Sequence, residues 1–373
     1  MIRDTPPRIL VFSQRNISRG LFQCPHYEFE DLICHIDSAE VFAPSANPSS
    51  LRYRVAKGLA YRLPFTMNPG IRRPEAGMQY DLFFTVCGKP SDLLALDASV
   101  NWRQLCSTSV CLIDEFWARQ IEQQRHFFRI LDKFDVVMLY YCQTVEPLGN
   151  RITPRCFFLP PGVDTLLFSP YPRPPRRAID VYSIGRRSEL THHTLLRMAA
   201  QNDFFYVHDS IAGNSALDSV QHRALVANMA KRSRYFIVNP GLIDKPEITG
   251  NQSEIGNRYF EGAASGTIMI GERPKNGEFA KLFDWPDALI DMPYDSPDIV
   301  GIINKLDRQP ERQDQIRRAN VSQALLRHDW AYRWEAVLQS VGLAPMPQLA
   351  ERKRHLQSLA QTVSNENTAV KTA

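Results

Sequence analysis

The chain has 373 residues, of which 44% are apolar and 23% are charged, and it contains 18 glycines and 26 prolines. These values are typical of a folded globular protein and exclude a collagen, a coiled coil or a largely disordered chain. Forty-four lysines and arginines against 40 acidic residues give a net charge of +4, which is too small to predict nucleic-acid binding over the whole surface.

The seven cysteines all lie between Cys24 and Cys156, and no pair has the two-residue spacing of zinc or redox motifs. They are therefore predicted to be free thiols in a reducing compartment. No apolar run at the N-terminus has the length of a signal peptide, and no window reaches the roughly 20 apolar residues that cross a bilayer. We expect a cytoplasmic protein.

Short β-branched or aromatic runs alternate with helical patterns, as in parallel sheets with crossover helices. In the first half, strands are predicted at 8–13, 39–43, 80–87, 109–113, 134–141 and 156–159. In the second half, strands are predicted at 179–184, 204–208, 235–239 and 267–271, and helices near 189–200, 217–231, 255–265, 298–307 and 310–327. The sequence therefore predicts an α/β architecture that occurs twice along the chain.

Between the two series, six prolines crowd into sixteen residues: Pro160, Pro161, Pro170, Pro172, Pro174 and Pro175. Proline fixes φ and lacks an N–H donor, which excludes helix and central strand there. We predict a first domain at 1–159, an interdomain linker at 160–178, a second domain at 179–345 and a polar tail at 346–373 whose last part is frayed. The alternative is a surface loop within one large domain.

Polar side chains at helical spacing mark the segment 254–266. If it is helical from about residue 255, then Glu254, Asn257, Arg258 and Glu261 share one face, which should line a cleft. A helix N-terminus at the edge of a parallel sheet is also where phosphate oxygens find unpaired N–H groups. The alternative is a solvated helix with an Arg258–Glu261 ion pair.

A second motif, Gly185-Arg186-Arg187, follows the predicted strand at 179–184. Glycine permits a tight turn, and the planar fork of arginine can hold two phosphate oxygens at once. The pattern predicts a diphosphate clamp, with ordinary surface charge as the alternative.

Four segments of the second half together resemble a known family. Pro-Pro-Gly-Val-Asp-Thr-Leu-Leu-Phe-Ser-Pro at 160–170 is similar to the interdomain signature of group 1 glycosyltransferases of the GT-B fold, and Ser-Ile-Gly-Arg-Arg at 183–187 is similar to their diphosphate-binding loop. Arg-Tyr-Phe-Glu-Gly-Ala-Ala-Ser-Gly at 258–266 resembles their ribose-binding segment, especially in the branch related to spore-coat-type glycosyltransferases. His-Asp-Trp-Ala-Tyr-Arg-Trp at 328–334 resembles the helix that closes the second domain.

The resemblance implies a GT-B fold in which two Rossmann-like domains with parallel sheets face an interdomain cleft. It implies a retaining glycosyltransferase of polysaccharide biosynthesis that requires no metal. The donor would be a nucleoside-diphosphate sugar that is bound by the second domain, with a UDP-sugar favoured over a GDP-sugar. The first domain would bind the acceptor, a glycan, a lipid-linked carbohydrate or a secondary metabolite.

The resemblance also implies roles for individual residues. Glu261 would accept hydrogen bonds from the ribose, Arg186 would neutralise the diphosphate, and Glu254 would lie near the donor sugar. Six residues separate Glu254 from Glu261, one fewer than is usual in the family. The family's lysine after Gly-Arg is missing, which leaves Arg187 and Arg258 as candidates for the second positive charge. The expected donor-binding residues are Gly185, Arg186, Arg187, Asn257, Arg258 and Glu261, and the candidate catalytic residues are Glu254, Asp114, Glu115 and His26.

The residue inventory agrees with a site that has neither metal nor cofactor. The chain contains no Asp-x-Asp, the usual Mg²⁺ or Mn²⁺ bridge to a diphosphate, so protein cations are expected to stabilise the leaving group. With retention, the departing phosphate oxygen can take the acceptor proton. With inversion, a general base is required, and His26, Asp114 and Glu115 are the candidates. The alternatives are that Asp114 caps the next helix and that His26 is an ordinary surface or core residue.

From Leu51 to Arg73 the chain carries six cations and no acidic residue, interleaved with apolar side chains. Such a segment is a candidate contact for an anionic membrane surface, which would make the protein membrane-peripheral, or for an acidic acceptor; the alternative is a solvated charged face.

Two other functions stay open for the chain: a sugar-nucleotide epimerase on the same fold, and a non-catalytic assembly protein that binds nucleotide sugars.

Overall fold

The computed structural model describes residues 6–47, 49–60, 67–68, 70–71, 79–98, 102–201, 203–210 and 215–369. The chain divides into two compact units. Unit 1 comprises Met1–Pro160, Asn214–Ser219 and Trp334–Ala350, and unit 2 comprises Pro161–Gly213, Val220–Arg333 and Glu351–Ala373.

Unit 1 is built on a sheet whose strands, within the described residues, are β1 (Ile9–Phe12), β2 (Ala39–Phe42), β3 (Tyr80–Cys87), β4 (Cys106–Ile113), β5 (Val136–Leu139) and β6 (Arg155–Phe158). Their order is β2-β1-β3-β4-β5-β6, and all neighbours are parallel. The strand predictions of the first half are thus confirmed. Strands β1 and β5 are buried along their whole length, as expected for a parallel sheet covered on both faces.

In the described part of the first 160 residues, the α-helices are α1 (Cys24–Ile36), α2 (Leu51–Ala60), α3 (Leu93–Ala98), α4 (Phe128–Leu131) and α5 (Cys142–Gly149). Shorter 3₁₀ helices lie at Leu21–Gln23, Pro90–Asp92, Trp102–Leu105, Ala118–Gln120 and Glu122–Phe127. Helix α1 buries His26 and Glu30 on the same face as Tyr27 and Ile33. This face therefore brings two ionisable groups into the interior of unit 1.

Unit 2 is built on β7 (Ile179–Ser183), β8 (Tyr206–His208), β9 (Ser233–Ile237), β10 (Ile268–Gly271) and β11 (Ile290–Asp291). Their order is β11-β10-β9-β7-β8, again with parallel neighbours. The four strands predicted in the second half are confirmed. Strand β11 was not predicted, because its two residues are too few to show a pattern.

The remaining helices are α6 (Thr165–Phe168), α7 (Glu189–Gln201), α8 (Ser219–Lys231), α9 (Pro246–Thr249), α10 (Asn257–Ala264), α11 (Gly277–Leu282), α12 (Ile299–Asp307), α13 (Pro310–Arg327), α14 (Trp330–Ser340) and α15 (Pro347–Ala369). Helix α10 lies close to the sheet, since a Cβ at Gly262 would come within 2.6 Å of the Met269 sulfur. Gly266 ends it in the left-handed region at φ 64°.

Part of the proline-rich segment is folded into unit 2, because the division falls between Pro160 and Pro161. Asp164 caps α6 by accepting from two backbone N–H groups, and the Thr165 hydroxyl donates to Asp329 at 2.7 Å. Arg352, on α15, donates to both carboxylates at 2.7 and 2.8 Å. The stretch predicted as a tail is helical from Pro347 and packs against α13.

Helix α14 begins in unit 2 and ends in unit 1. In unit 1 the indole of Trp334 makes edge contacts with Phe29 and Phe84, and its N–H donates to Asp37 at 2.8 Å. No disulfide joins any of the seven cysteines, all of which lie in described ranges. None of the helices described here is both long and apolar enough to cross a bilayer.

Only part of the basic segment at 51–73 is described. Residues 51–60 form α2, which buries Ala56 and Ala60 and leaves Leu51 and Val55 exposed. The cations Arg62, Arg72 and Arg73 lie outside the described residues. A contact with an anionic membrane through this segment therefore stays a prediction.

Candidate functional site

The two segments predicted to bind a nucleotide sugar lie at the carboxyl edge of the unit 2 sheet. Gly185-Arg186-Arg187 follows β7. Helix α10, which begins at Asn257, lies in the connection between β9 and β10. The Tyr259 hydroxyl, in the first turn of α10, donates to the carbonyl of Glu272 just after β10. In doubly wound folds, ligands bind at this edge of the sheet.

Gly185 makes the turn that was predicted at the end of β7. Its φ is 79°, a value that suits glycine, and its N–H donates to the Asp209 carboxylate at 2.5 Å. Asp209 follows β8, and its carbonyl accepts from Arg187 at 3.0 Å. The loop after β7 is therefore anchored to the neighbouring strand.

Two predicted donor-binding residues carry buried polar atoms without a hydrogen-bond partner in the described part of the chain. These atoms are Nε of Arg187, a donor, and Oδ1 of Asn257, an acceptor. Folded proteins seldom leave such atoms unpaired, because each costs about 1–3 kcal/mol. A phosphate oxygen would satisfy the guanidinium N–H, and a hydroxyl or amide N–H would satisfy the carbonyl oxygen. Each atom is therefore a candidate contact for a polar ligand, and the guanidinium N–H is a candidate contact for an anionic group.

Glu261 is completely buried and is held by two arginines. One carboxylate oxygen accepts from Arg223 on α8, and the other accepts from Arg258 one turn back on α10. Burial alone would raise the pKa of Glu261, but the two guanidinium groups outweigh it and lower the pKa to about 2. The predicted Arg258–Glu261 ion pair is present, yet α10 is not a solvated helix, because Glu261 and its neighbours are buried.

Tyr182, in β7, lies close to charged residues of α10 and to Asp209 after β8. Burial raises the pKa of Tyr182, and the charges of Arg258, Glu261 and Asp209 all act on its hydroxyl. Its ring stacks on Phe236 at 5.2 Å between centroids. A buried phenol thus lies beside the charged groups of α10.

Glu254 does not continue the polar face of α10, contrary to the helical spacing that was predicted. The backbone is extended at Gly256, so the helix begins only at Asn257. Glu254 lies in the preceding loop, 1% exposed, and accepts from the Gln252 amide at 2.7 Å. Its assignment near the donor sugar stays a prediction.

Arg186 is the exposed member of the arginine pair. Its Nη1 donates to both oxygens of Asp244, at 2.7 and 2.8 Å. Asp209, Arg223 and Asp244 were missed by sequence reasoning. Each lies outside any motif, and only the fold brings it to the predicted residues.

In unit 1, two of the three candidate bases lie together at the carboxyl edge of the sheet. Asp114 follows β4, and its carboxylate is 2.9 Å from Nε2 of His26. Their side chains are 17% and 2% exposed, so Asp114 is the outer member of the pair. Asp114 does not cap the next helix, whose N-cap is Trp117. Glu115, the next residue, accepts from the indole of Trp117 at 3.0 Å.

Glu30, one turn after His26 on α1, is a buried acid that sequence reasoning missed. One carboxylate oxygen accepts from the Ser13 hydroxyl and from Arg15 at 2.9 Å, while Oε1 has no hydrogen-bond partner among the residues that the structure describes. Burial raises the pKa of Glu30 to about 7, against the opposing charge of Arg15.

A pH dependence of stability follows from this acid. Between its ordinary pKa of 4.5 and about 7, the folded chain keeps a proton that the unfolded chain releases. Stability should therefore fall with rising pH in this window, by up to about 1.4 kcal/mol per pH unit from this group. Glu30→Gln should remove that slope in urea denaturation at pH 5, 6 and 7. Glu122→Gln, whose side chain is 61% exposed, is the control. Parallel pH curves for Glu30→Gln and the wild type would contradict the prediction.

Sequence and structure comparisons find similarity between this chain and known glycosyltransferases. Residues 179–339 match the sequence profile of the glycosyl transferase-like family. The solved structure of HepE from Anabaena with UDP and glucose has a TM-score of 0.50 and 12% identity, over 90% of this chain and 99% of that one. An alpha-glucosyltransferase with UDP-glucose and DNA containing an abasic site has a TM-score of 0.56 and 12% identity, over 91% of this chain and 100% of that one. No curated protein sequence matches the chain significantly.

The class of protein follows from the two sheets and these comparisons. The chain has the GT-B fold, as predicted, with a six-stranded and a five-stranded parallel sheet in the described residues. Residues 179–339 form a glycosyltransferase domain, and the predicted enzyme class is confirmed. The similarity to retaining group 1 enzymes and to the spore-coat branch stays a prediction.

Proposed function

We propose that this enzyme transfers a sugar from a UDP-sugar to an acceptor hydroxyl without a metal ion, with the donor bound by unit 2 and the acceptor by unit 1. The observation that carries the proposal is that Arg187 and Asn257 each bury one polar atom with no hydrogen-bond partner among the described residues, within the region that matches the glycosyl transferase-like family. Both neighbours named above are in complex with UDP or UDP-glucose, which supports UDP as the nucleotide.

The charges of unit 2 fit the electrostatic needs of glycosyl transfer. As the bond to the anomeric carbon breaks, the sugar gains positive charge and the diphosphate gains negative charge. Arg186 and Arg187 would stabilise the diphosphate, together with N–H groups at the start of α10. Protein cations at fixed positions would then do what a metal ion does in other transferases.

Glu261 is proposed to recognise the ribose. Its pKa of about 2 keeps it ionised, and each carboxylate oxygen retains a further lone pair beside its bond to Arg223 or Arg258. The two arginines hold the carboxylate in one orientation. A fixed, charged acceptor suits a diol whose two hydroxyls must both donate.

Unit 1 is proposed to bind the acceptor beside Asp114. Because Asp114 is the more exposed member of its pair with His26, the acceptor hydroxyl would contact the Asp114 carboxylate. The more deeply buried His26 would fix the orientation of that carboxylate. With retention, the leaving phosphate oxygen takes the proton of that hydroxyl. Asp114 then positions the acceptor and is not required as a base.

The acceptor is proposed to be a carbohydrate or a lipid-linked carbohydrate. One neighbour is in complex with DNA, but that describes the alpha-glucosyltransferase. The net charge of +4 on this chain does not predict a surface for a polyanion.

The proposed function is tested by binding and turnover. UDP, GDP and ADP are titrated by calorimetry, and UDP-glucose is then incubated with extracts rich in candidate acceptors. We expect UDP to bind most tightly and UDP to be released only when an acceptor is present. Failure of all three nucleotides to bind would overturn the proposal. An isomeric sugar nucleotide formed without acceptor would identify an epimerase.

Asp114→Asn should lower kcat by less than about tenfold, because a general base would contribute about 10²–10⁴-fold and retention does not need one. The anomeric configuration of the product, read by NMR, should be that of the donor. Asp135→Asn, which alters an ion pair with Arg103 just before β5, is the matched control. A hundredfold loss together with an inverted product would show that Asp114 is the base.

A further inference from the structure

Arg186, the residue predicted to neutralise the donor diphosphate, already has an anionic partner within unit 2. Asp244 receives two hydrogen bonds from Nη1 of Arg186, at 2.7 and 2.8 Å. The two side chains are 38% and 33% exposed, so the pair borders solvent and is open to an incoming ligand.

Asp244 is presented by a tight turn. The Lys245 N–H donates to the Leu242 carbonyl at 2.9 Å, which closes a four-residue turn with Asp244 at its third position. Leu242 has a φ of 51°, in the left-handed region that a side chain with a Cβ seldom adopts. The surrounding chain therefore holds an unfavourable backbone conformation at the residue from which this turn starts.

The charge of Asp244 has different consequences for donor and product. A nucleotide sugar carries two negative charges on its diphosphate, whereas the free nucleoside diphosphate ionises further on its terminal phosphate, whose second pKa is about 6. A carboxylate beside Arg186 offsets the attraction of the guanidinium for either ligand. Its repulsion is greater for the ligand with the additional charge.

We propose that Asp244 holds Arg186 in the ligand-free enzyme and weakens the binding of free nucleoside diphosphate more than that of nucleotide sugar, which favours release of the product. This inference rests on the proposed function, because it assumes that the diphosphate meets Arg186. It gives a part in specificity to a residue outside every sequence motif of the chain.

The test compares UDP with UDP-glucose on the full chain by calorimetry. In Asp244→Asn, both ligands should bind more tightly, and the gain for UDP should exceed the gain for UDP-glucose by about threefold, the effect of one charge at about 6 Å in water. In the Arg186→Ala background, Asp244→Asn should give a smaller gain in affinity, because there is no Arg186 guanidinium to be released from the Asp244 carboxylate. Inorganic pyrophosphate should behave as UDP does.

A matched control is available in the same unit. Asp287 receives two hydrogen bonds from Arg312, at 2.7 and 2.8 Å, with side chains 33% and 36% exposed, and it precedes β11. Asp287→Asn removes an equivalent charge away from the carboxyl edge. It should change neither affinity.

The outcomes separate this inference from the proposed function. Equal gains for UDP and UDP-glucose, no gain, or a loss of affinity in Asp244→Asn would overturn the inference; a loss would show that Asp244 positions Arg186 for the diphosphate. These results leave the proposed function intact when UDP binds and Arg186→Ala weakens it. Wild-type protein that does not bind UDP would overturn the proposed function itself.

Discussion

Replacement of Glu261 by glutamine should lower the free energy of unfolding by about 3–5 kcal/mol at pH 7, the cost of removing one partner from a buried ion pair. Arg223 is only 3% exposed and would keep its charge without its buried counterion. The ring of Phe168, whose centroid lies 4.7 Å from the guanidinium carbon of Arg223, cannot replace a carboxylate. The substitution changes the charge but hardly the volume, so the loss reports the electrostatic contribution.

The same variant should change the pH dependence. The pKa of Glu261 is about 2 in the folded chain against an ordinary value of 4.5. The stability that the ionised group contributes is present above about 4.5 and is lost as pH falls towards 2. The difference between wild type and Glu261→Gln should therefore shrink between pH 5 and pH 3.

Urea denaturation followed by circular dichroism measures both effects. Glu278→Gln is the control, because Glu278 forms a more exposed pair with Lys281 at the same three-residue spacing, and such pairs contribute at most about 1 kcal/mol. A Glu261→Gln protein as stable as the wild type at pH 7 would contradict the assignment of a buried, ionised carboxylate.

Arg187→Ala should weaken UDP binding by about 1.5–3 kcal/mol, the usual contribution of a hydrogen bond to a charged group. This corresponds to roughly 10- to 150-fold in the dissociation constant. The reason is that Nε of Arg187 is buried and has no hydrogen-bond acceptor within the described ranges, so a phosphate oxygen would supply one.

Two further variants make the result specific. Arg187→Lys keeps the charge but loses the planar fork, and should recover only part of the affinity. Arg232→Ala removes an arginine just before β9, at the opposite edge of the sheet, where it donates to Asn228 at 2.8 Å. It should leave UDP binding unchanged. Full affinity in Arg187→Ala would remove Arg187 from the diphosphate site.

Most of the fold could be predicted because it is encoded in local patterns. The β-branched and aromatic runs that became β1, β5 and β7 are short, and α10 was predicted from the helical spacing of the polar residues Asn257, Arg258 and Glu261. The turn at Gly185 could be predicted for the same reason, since its left-handed backbone is one that glycine favours. The start of α10 was placed two residues too early, because the extended conformation at Gly256 has no signature of its own.

The site could be predicted only in part. Motifs identified Arg187, Asn257 and Glu261, but not how each is held. Asp244 could not be found because it lies in an irregular loop 58 residues from Arg186, and Glu30 belongs to no sequence motif.

The sequence by itself determined the order of strands and helices, the glycine turns and the arginine-rich motif, since each depends on neighbours within a few residues. The tertiary structure alone decided which charges meet: Arg223 with Glu261 across 38 positions, and His26 with Asp114 across 88. Such pairs form because parallel strands need long crossovers, which bring chain segments distant in sequence to the same edge of a sheet. The pKa of each buried group then follows from neighbours that no local pattern specifies.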